Sequence, residues 1–221
     1  KVNTSNRYDK LRRNIVIIMI AATVIPLSMM AYINHHLFNT GLKAEIIKPL
    51  ESLTNRTARS FELFFEDRNS SIKLIASLYS YQELSSKMIL NRIFQVLKKE
   101  YCCYIDLGLI NDRGEQINYV GPYDLLGYNY SNQDWFKEVM VKGVYISNVF
   151  MGYRKFPHVA FAVNHLSDDG TSWIVRATMD TKSFKDFIAD MGLDQFSDAF
   201  LISSNKVLQT PSKFYGNELE S

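Results

Sequence analysis

The spacing of apolar residues changes character along the chain. From Ile15 to Ile33 (IVIIMIAATVIPLSMMAYI) nineteen residues pass without a charge. At about 1.5 Å rise per residue such a run spans ~28 Å as a helix, close to the ~30 Å hydrocarbon thickness of a bilayer. It predicts a transmembrane helix. Pro26 is tolerable there, because neighbouring groups in lipid satisfy the freed carbonyl. A secretory signal peptide has a shorter apolar region and a small-x-small cleavage pattern, and none follows Met30.

Between Leu42 and Tyr79 the apolar positions (Leu42, Ile46, Leu50, Leu53, Phe61, Phe64, Ile72, Ile75, Tyr79) fall mostly three and four apart. That is helical periodicity. Charged residues from Glu51 to Lys73 fill the gaps, the pattern of a stalk helix with one packed stripe and one wet face. Pro49 leaves one bent helix and two helices both open. A further helix is expected over Leu84–Lys99, with Leu90, Phe94 and Leu97 on one side.

At Tyr101 the period drops to two. Ile105, Leu107 and Leu109 alternate with Asp106 and Gly108 up to the turn Asn111-Asp112-Arg113-Gly114, and Gln116–Val120 reads as the partner strand. A short helix is expected at 133–141, closed by Gly143. Strand-like runs follow at Val144–Phe150, Val159–Asn164 and Trp173–Met179, the last two joined by the turn Ser167-Asp168-Asp169-Gly170-Thr171. An amphipathic helix returns over Thr181–Met191, with Asp180 or Thr181 as its N-cap. Finally, within Phe200–Gln209 the segment Leu201–Gln209 repeats the strand, turn, strand plan of Leu109–Ile117 at an offset of 92. A second sheet is expected to begin here, in a protein that continues beyond Ser221. The fold class is α+β, helices first and then a mostly antiparallel sheet crossed by one helix.

Charge sharpens this picture. The 221 residues carry a net +2, but five cations against Asp9 in residues 1–14 make a local +4 and leave the remainder mildly acidic. The basic flank sets orientation by the positive-inside rule, so residues from about His35 onward are expected outside the cytoplasm. An acidic folded part argues against a nucleic-acid surface. Hydrophobic residues at 47% and charged residues at 22% exclude wholesale disorder.

Catalytic signatures are scarce: there is no phosphate loop, no G-x-G-x-x-G, no H-E-x-x-H and no G-x-S-x-G. His35 and His36 sit at the membrane exit as solvated interfacial residues. His158 and His165, seven apart in a strand region, face opposite sides and cannot share a metal. The neighbours Cys102 and Cys103 have no metal-site spacing and read as a helix-to-strand junction with one buried thiol. No enzyme, metal or cofactor is expected within these residues.

What remains is a candidate small-molecule pocket. Between Tyr119 and Asp180 the chain crowds Tyr119, Tyr123, Tyr128, Tyr130, Trp135, Phe136, Tyr145, Phe150, Tyr153, Phe156 and Trp173 around Asp134, Ser147, Arg154, His158, Arg176 and Asp180. Aromatic walls with a few placed polar groups are how such sites are built. The residues assigned to ligand binding are Tyr119, Trp135, Phe136, Tyr145, Ser147, Phe150, Arg154, His158 and Asp180. Arg154 is the candidate grip on a carboxylate, which a guanidinium can hold by two hydrogen bonds.

Tyr119-Val120-Gly121-Pro122-Tyr123, then YNYSNQDWF over 128–136, then GVYISNVFMGYR over 143–154 with Pro157-His158, resembles the membrane-distal lobe of a double Cache domain. These are extracytoplasmic PAS-like sensors of bacterial signal transducers. The G-Y-R-x-x-P-H stretch and FLISSNKVLQTPSKFYG over 200–216 are most similar to the sensors of transmembrane histidine kinases. The resemblance implies a basic cytoplasmic tail (1–14), a transmembrane helix (15–33), stalk and packing helices (38–100), a distal lobe (101–195) and the start of a proximal lobe (196–221).

The resemblance also implies a ligand held between the sheet and the helix bearing Trp135. Amino-acid-binding members carry an Arg where Gln133 stands and an acidic residue where Gly152 stands, and only Asp180 matches. A small polar metabolite, an organic acid among the candidates, with Arg154 as the replacement cation, is therefore implied. So are an inner-membrane location, a homodimer and a cytoplasmic response regulator as partner. ATP and Mg would be expected only in a cytoplasmic kinase part. A chemoreceptor and a diguanylate cyclase carry the same kind of sensor.

Overall fold

The computed structural model of the chain describes residues 4–101, 103–189 and 198–220. The chain divides into two units, Lys1–Ser60 and Phe61–Ser221.

In the first unit, α1 (Thr4–Leu42) contains the apolar run, and Lys10–Gly41 is long and apolar enough to cross a membrane. Its large side chains are exposed, as Leu27, Met30 and Phe38 show. A π-helical turn, Lys43–Ile47, follows and leads into α2 (Lys48–Leu78). Pro49, the second residue of α2, has no N–H to give to the ladder, and a π turn is one way a helix absorbs such a gap. On this part of α2 the stripe residues Leu50 and Leu53 stay exposed.

The second unit is a five-stranded antiparallel sheet with helices on both faces. Its strands are β1 (Tyr104–Asn111), β2 (Gln116–Val120), β3 (Val144–Ile146), β4 (His158–Leu166) and β5 (Ser172–Asp180), in the order β2-β1-β5-β4-β3. Because side chains alternate, each strand presents two faces. One face carries Leu107, Leu109, Val159, Phe161, Val163, Trp173, Val175, Ala177 and Met179 into the main core. The rest of α2, α3 (Tyr81–Ser85) and α4 (Lys87–Tyr101) supply Phe61, Ile72, Ile75, Leu84, Leu90, Phe94 and Leu97 to the same core. Two buried polar ties fix this layer. The Tyr104 hydroxyl donates to the Arg68 carbonyl at 2.7 Å. Asn118 Nδ2 donates to the Leu84 carbonyl at 2.7 Å. Cys103 is buried where α4 meets β1, while Cys102 lies outside the described residues.

The other face of the sheet is covered by α5 (Asp134–Lys142), whose buried side is Trp135, Phe136 and Val139. Gly143 ends this helix in the left-handed conformation at φ 75°, where a side chain would be strained. The last helix of the unit, α6 (Lys182–Ala189), packs Phe184 into the main core, and the expected extension to Met191 lies outside the described residues.

Two expectations are corrected in detail. The run Leu84–Lys99 is not one helix, because the chain breaks at Ser86 between α3 and α4. Of Val144–Phe150 only the first three residues form a strand, and Phe150 rejoins the sheet through a single bridge to His158. The second strand, turn, strand pattern is present as a short hairpin, with an antiparallel bridge from Ile202 to Leu208 and the Ser203 and Gln209 N–H groups donating to the Val207 and Leu201 carbonyls. That segment is tied down, since Gln209 Oε1 accepts the Val149 N–H at 2.7 Å and Thr210 is fully buried.

Candidate ligand-binding site

On the face beneath α5, strand register sets the side chains in rows. Gly108 stands opposite Arg176 and Tyr119, Ala162 opposite Arg176 and Tyr145, and His158 opposite Asp180. Three central positions of this face are Gly108, Ala160 and Ala162, where the opposite face has Leu, Val and Phe. Small residues leave a shallow trough, and the long side chains at its ends reach across it.

The trough holds a buried charge cluster. Asp106, fully buried, accepts from the Thr178 hydroxyl on Oδ1 and from the Tyr119 hydroxyl on Oδ2 at 3.2 Å. Arg154 Nη1 lies 3.5 Å from Asp106 Oδ2, and Arg176 Nη2 lies 3.9 Å from Oδ1. Arg154 Nη2 is 3.8 Å from Asp180 Oδ1. Two guanidiniums thus share one buried carboxylate, with a second carboxylate beside one of them. Burial, followed by the Arg154 and Asp106 charges acting in opposite senses, leaves Asp180 above the usual carboxylate range. The Tyr119 phenol is pushed up, by burial first and then by the Asp106 charge.

Aromatic rings close over these cations. The Arg176 guanidinium carbon sits 4.6 Å from the Tyr130 ring centre and 5.6 Å from that of Trp135, and Arg154 lies 5.1 Å from the ring of Tyr123. Several donors are left over. Nε and Nη2 of both arginines and Trp135 Nε1 are out of solvent and make no hydrogen bond, and neither does the Asp180 Oδ1 acceptor. Buried polar atoms are almost always hydrogen-bonded in native proteins, so such a concentration on one sheet face makes it the candidate place for a polar partner.

Arg154 arrives on a loop rather than a strand. Phe150 and His158 exchange both backbone hydrogen bonds, at 3.0 and 3.1 Å, and so close the loop between them. The His158 ring lies 4.3 Å from the Phe150 ring and its Nδ1 is 2.7 Å from the Phe156 carbonyl, an arrangement in which Nδ1–H donates. Desolvation and the Arg154 charge hold His158 down at about 4, so the ring is neutral. Gly152 passes over this ring at φ 53°, where a Cβ would come within 2.8 Å of His158 Cε1. The Tyr153 hydroxyl donates to the Asn129 carbonyl at 2.9 Å, joining the loop to the segment before α5.

Of the nine assigned residues, Tyr119, Trp135, Arg154 and Asp180 fall in or directly over the cluster. His158 and Phe150 shape the loop that carries Arg154. Phe136 and Tyr145 belong to the apolar packing between α5 and the sheet. Ser147 uses its hydroxyl to accept the Ala160 N–H at 2.9 Å. Trp173 lies on the opposite face against His165 and Tyr81, and the Asp134 side chain is fully exposed, so neither lines the trough. The anchor of the cluster, Asp106, read in the sequence as the polar half of an alternating strand. Among the described residues no group of three His, Cys, Asp or Glu is placed to hold a metal.

No protein-family model and no curated protein matches the sequence. Solved structures share the fold, which is Cache-like. The ligand-binding domain of the Campylobacter jejuni chemoreceptor Tlp3, in complex with L-valine, superposes with a TM-score of 0.61 at 13% identity, over 76% of this chain and 72% of that one. The ligand-binding domain of the Pseudomonas aeruginosa amino-acid chemoreceptor PctC, in complex with GABA, gives 0.58 at 16% identity, over 73% and 74%. The extracellular domain of a candidate histidine kinase, vpHK1S-Z8, gives 0.53 at 12% identity, over 63% and 59%.

Proposed function

We propose that residues from about 35 onward form the ligand-sensing, extracytoplasmic region of a membrane-anchored signal transducer, and that the trough beneath α5 binds a small molecule bearing a carboxylate. The observation that carries this reading is the pair Arg154 and Arg176, buried under Tyr123, Tyr130 and Trp135 with unused N–H groups. A carboxylate between them would take up those donors, since Asp106 and Asp180 leave them without hydrogen bonds. Asp180 is positioned to accept from a donor on the ligand. Organic acids and amino acids both carry the required group, and the similar chemoreceptor domains hold L-valine and GABA.

In this reading α1 crosses the inner membrane with its basic end inside, and occupancy of the trough shifts α2, which packs directly on the sheet. The exposed Leu50 and Leu53 offer a stripe to a second copy of the chain. The output is a histidine kinase acting on a response regulator. A chemoreceptor is the second reading, favoured by the likeness to Tlp3 and PctC. Sequence following Ser221 separates the two: a second span, a phosphoacceptor helix and an ATP-binding domain mean a kinase, whereas sustained heptads mean a chemoreceptor.

Thermal melting of the full chain in detergent, with a panel of small carboxylates and amino acids, tests the binding reading. At least one compound is expected to raise the melting temperature saturably, and Arg176→Met to abolish the rise. A panel without effect, or a rise that survives Arg176→Met, contradicts it.

A further inference from the structure

Gln116 is 1% exposed, yet neither Oε1 nor Nε2 of its amide makes a hydrogen bond. Its backbone leaves the side chain little choice of direction. The Gln116 N–H donates to the Tyr128 carbonyl, and the Gln116 carbonyl accepts the Gly127 N–H, both at 2.9 Å. The β1–β2 register slips between Leu109 and Ile110, so that Gln116 stands directly opposite Ile110. Directly paired residues share a face, and Ile110 packs with Trp135 and Phe136 beneath α5. A slip of this kind re-aims a side chain.

The amide therefore lies on the floor of the trough. A Cβ placed on Gly108 would come within 2.7 Å of Gln116 Nε2, so the amide covers Gly108, and Gly108 is paired directly with Arg176. Adjacent strands are about 4.8 Å apart, which puts the Gln116 amide one strand from the base of Arg176. A glutamine kept only for packing would be replaced by Met or Leu at no loss, since these fill the same space and leave nothing unpaired.

We propose that Gln116 is a specificity-determining residue: the site takes a small carboxylate whose other end is a carboxamide in preference to one that ends in a branched alkyl group of the same shape. A carboxamide both donates and accepts, which is what the free Nε2 and Oε1 require. An alkyl end would leave both unpaired. Sites built to hydrogen-bond a ligand group discriminate strongly against the analogue lacking it. The inference rests on the carboxylate-binding reading of the same trough.

Isothermal titration of the full chain in detergent tests it with two shape-matched pairs, L-asparagine with L-leucine and succinamate with 4-methylpentanoate. The first pair carries an α-ammonium and the second does not, so whichever pair binds also shows whether Asp180 needs a cation. Within the pair that binds, the amide is expected to bind at least about tenfold more tightly than its alkyl partner. In Gln116→Met the preference is expected to vanish or reverse while carboxylate binding persists. The wild-type ratio decides even if the variant melts early. Equal affinities within the pair, or a preference unmoved in a folded Gln116→Met, overturn the inference and leave the arginine reading standing. Failure of all four compounds to bind overturns the inference, and the arginine reading falls with it only if the wider panel of carboxylates is also without effect.

Discussion

Asp106 and Arg154, 48 residues apart, meet at 3.5 Å with side chains 0% and 2% exposed. The contact is unequal. Asp106 is also held by Arg176, Thr178 and Tyr119, so it stays paired if Arg154 is removed. Both arginines, by contrast, lose their shared anion if Asp106 is removed.

Stability should follow that asymmetry. Asp106→Ala leaves two buried cations facing each other and is expected to cost about 3–5 kcal/mol. Arg154→Ala, with Asp106 still satisfied, is expected to cost less, about 1–3 kcal/mol. Thermal melting of the two variants in detergent checks the order. A larger loss for Arg154→Ala would mean that the loop, and not Asp106, organises the cluster.

Acid should weaken the fold through His158. Its folded value is about 4 against an ordinary 6.5, so between these the unfolded chain binds the proton and the folded chain does not. Stability is therefore flat with respect to this group above about 6.5 and falls as the pH drops toward 4, by on the order of 3 kcal/mol in full. In His158→Asn, whose amide can still donate to the Phe156 carbonyl, the melting temperature should vary less across that window. An unchanged slope would show that other groups carry it.

Gly152 and Gly127 separate strain from crowding. Both have positive φ, 53° and 77°, but a Cβ at Gly127 would meet nothing within 4 Å while one at Gly152 strikes the His158 and Phe150 rings. Gly127→Ala is expected to cost about 1–2 kcal/mol from the backbone alone. Gly152→Ala should cost more and also displace Arg154, weakening binding of any trough ligand. Equal melting temperatures for the two variants would remove the packing role assigned to the loop.

Much of the second unit was legible because the core face of two of its strands keeps period two: Trp173, Val175, Ala177 and Met179 on β5, Val159, Phe161 and Val163 on β4. The trough was less legible for the same reason. Asp106 looks like the wet half of an alternating strand, and only the side chains that close over it, Tyr119, Arg154, Arg176 and Thr178, make it buried. A usable signal was present in the small residues Gly108, Ala160 and Ala162, which share a face with Arg176 and Thr178. Polar residues set among small ones on an otherwise apolar pair of strands indicate a covered site rather than solvent. The break at Ser86 is hidden in the sequence because the apolar period of 84–99 runs across it, although the capping box of Ser80 and Glu83 marks a helix start just before.

Membrane orientation has its own check. With α1 spanning and its basic end inside, a reporter active only in the cytoplasm should be silent when fused near Asn111, in the turn between β1 and β2. Full activity there would place the sheet on the wrong side for a sensor of external molecules.

The trough itself is tested most directly by the light emission of Trp135, which lies 5.6 Å from the Arg176 guanidinium carbon. Trp173, on the opposite face, is the only other tryptophan, so Trp173→Phe leaves a single reporter. Titrating this variant with a carboxylate that stabilises the chain should shift the Trp135 emission saturably, with the shift lost when Arg176→Met is added. A ligand that stabilises the chain yet leaves Trp135 emission untouched would contradict the assignment of the trough as the binding site.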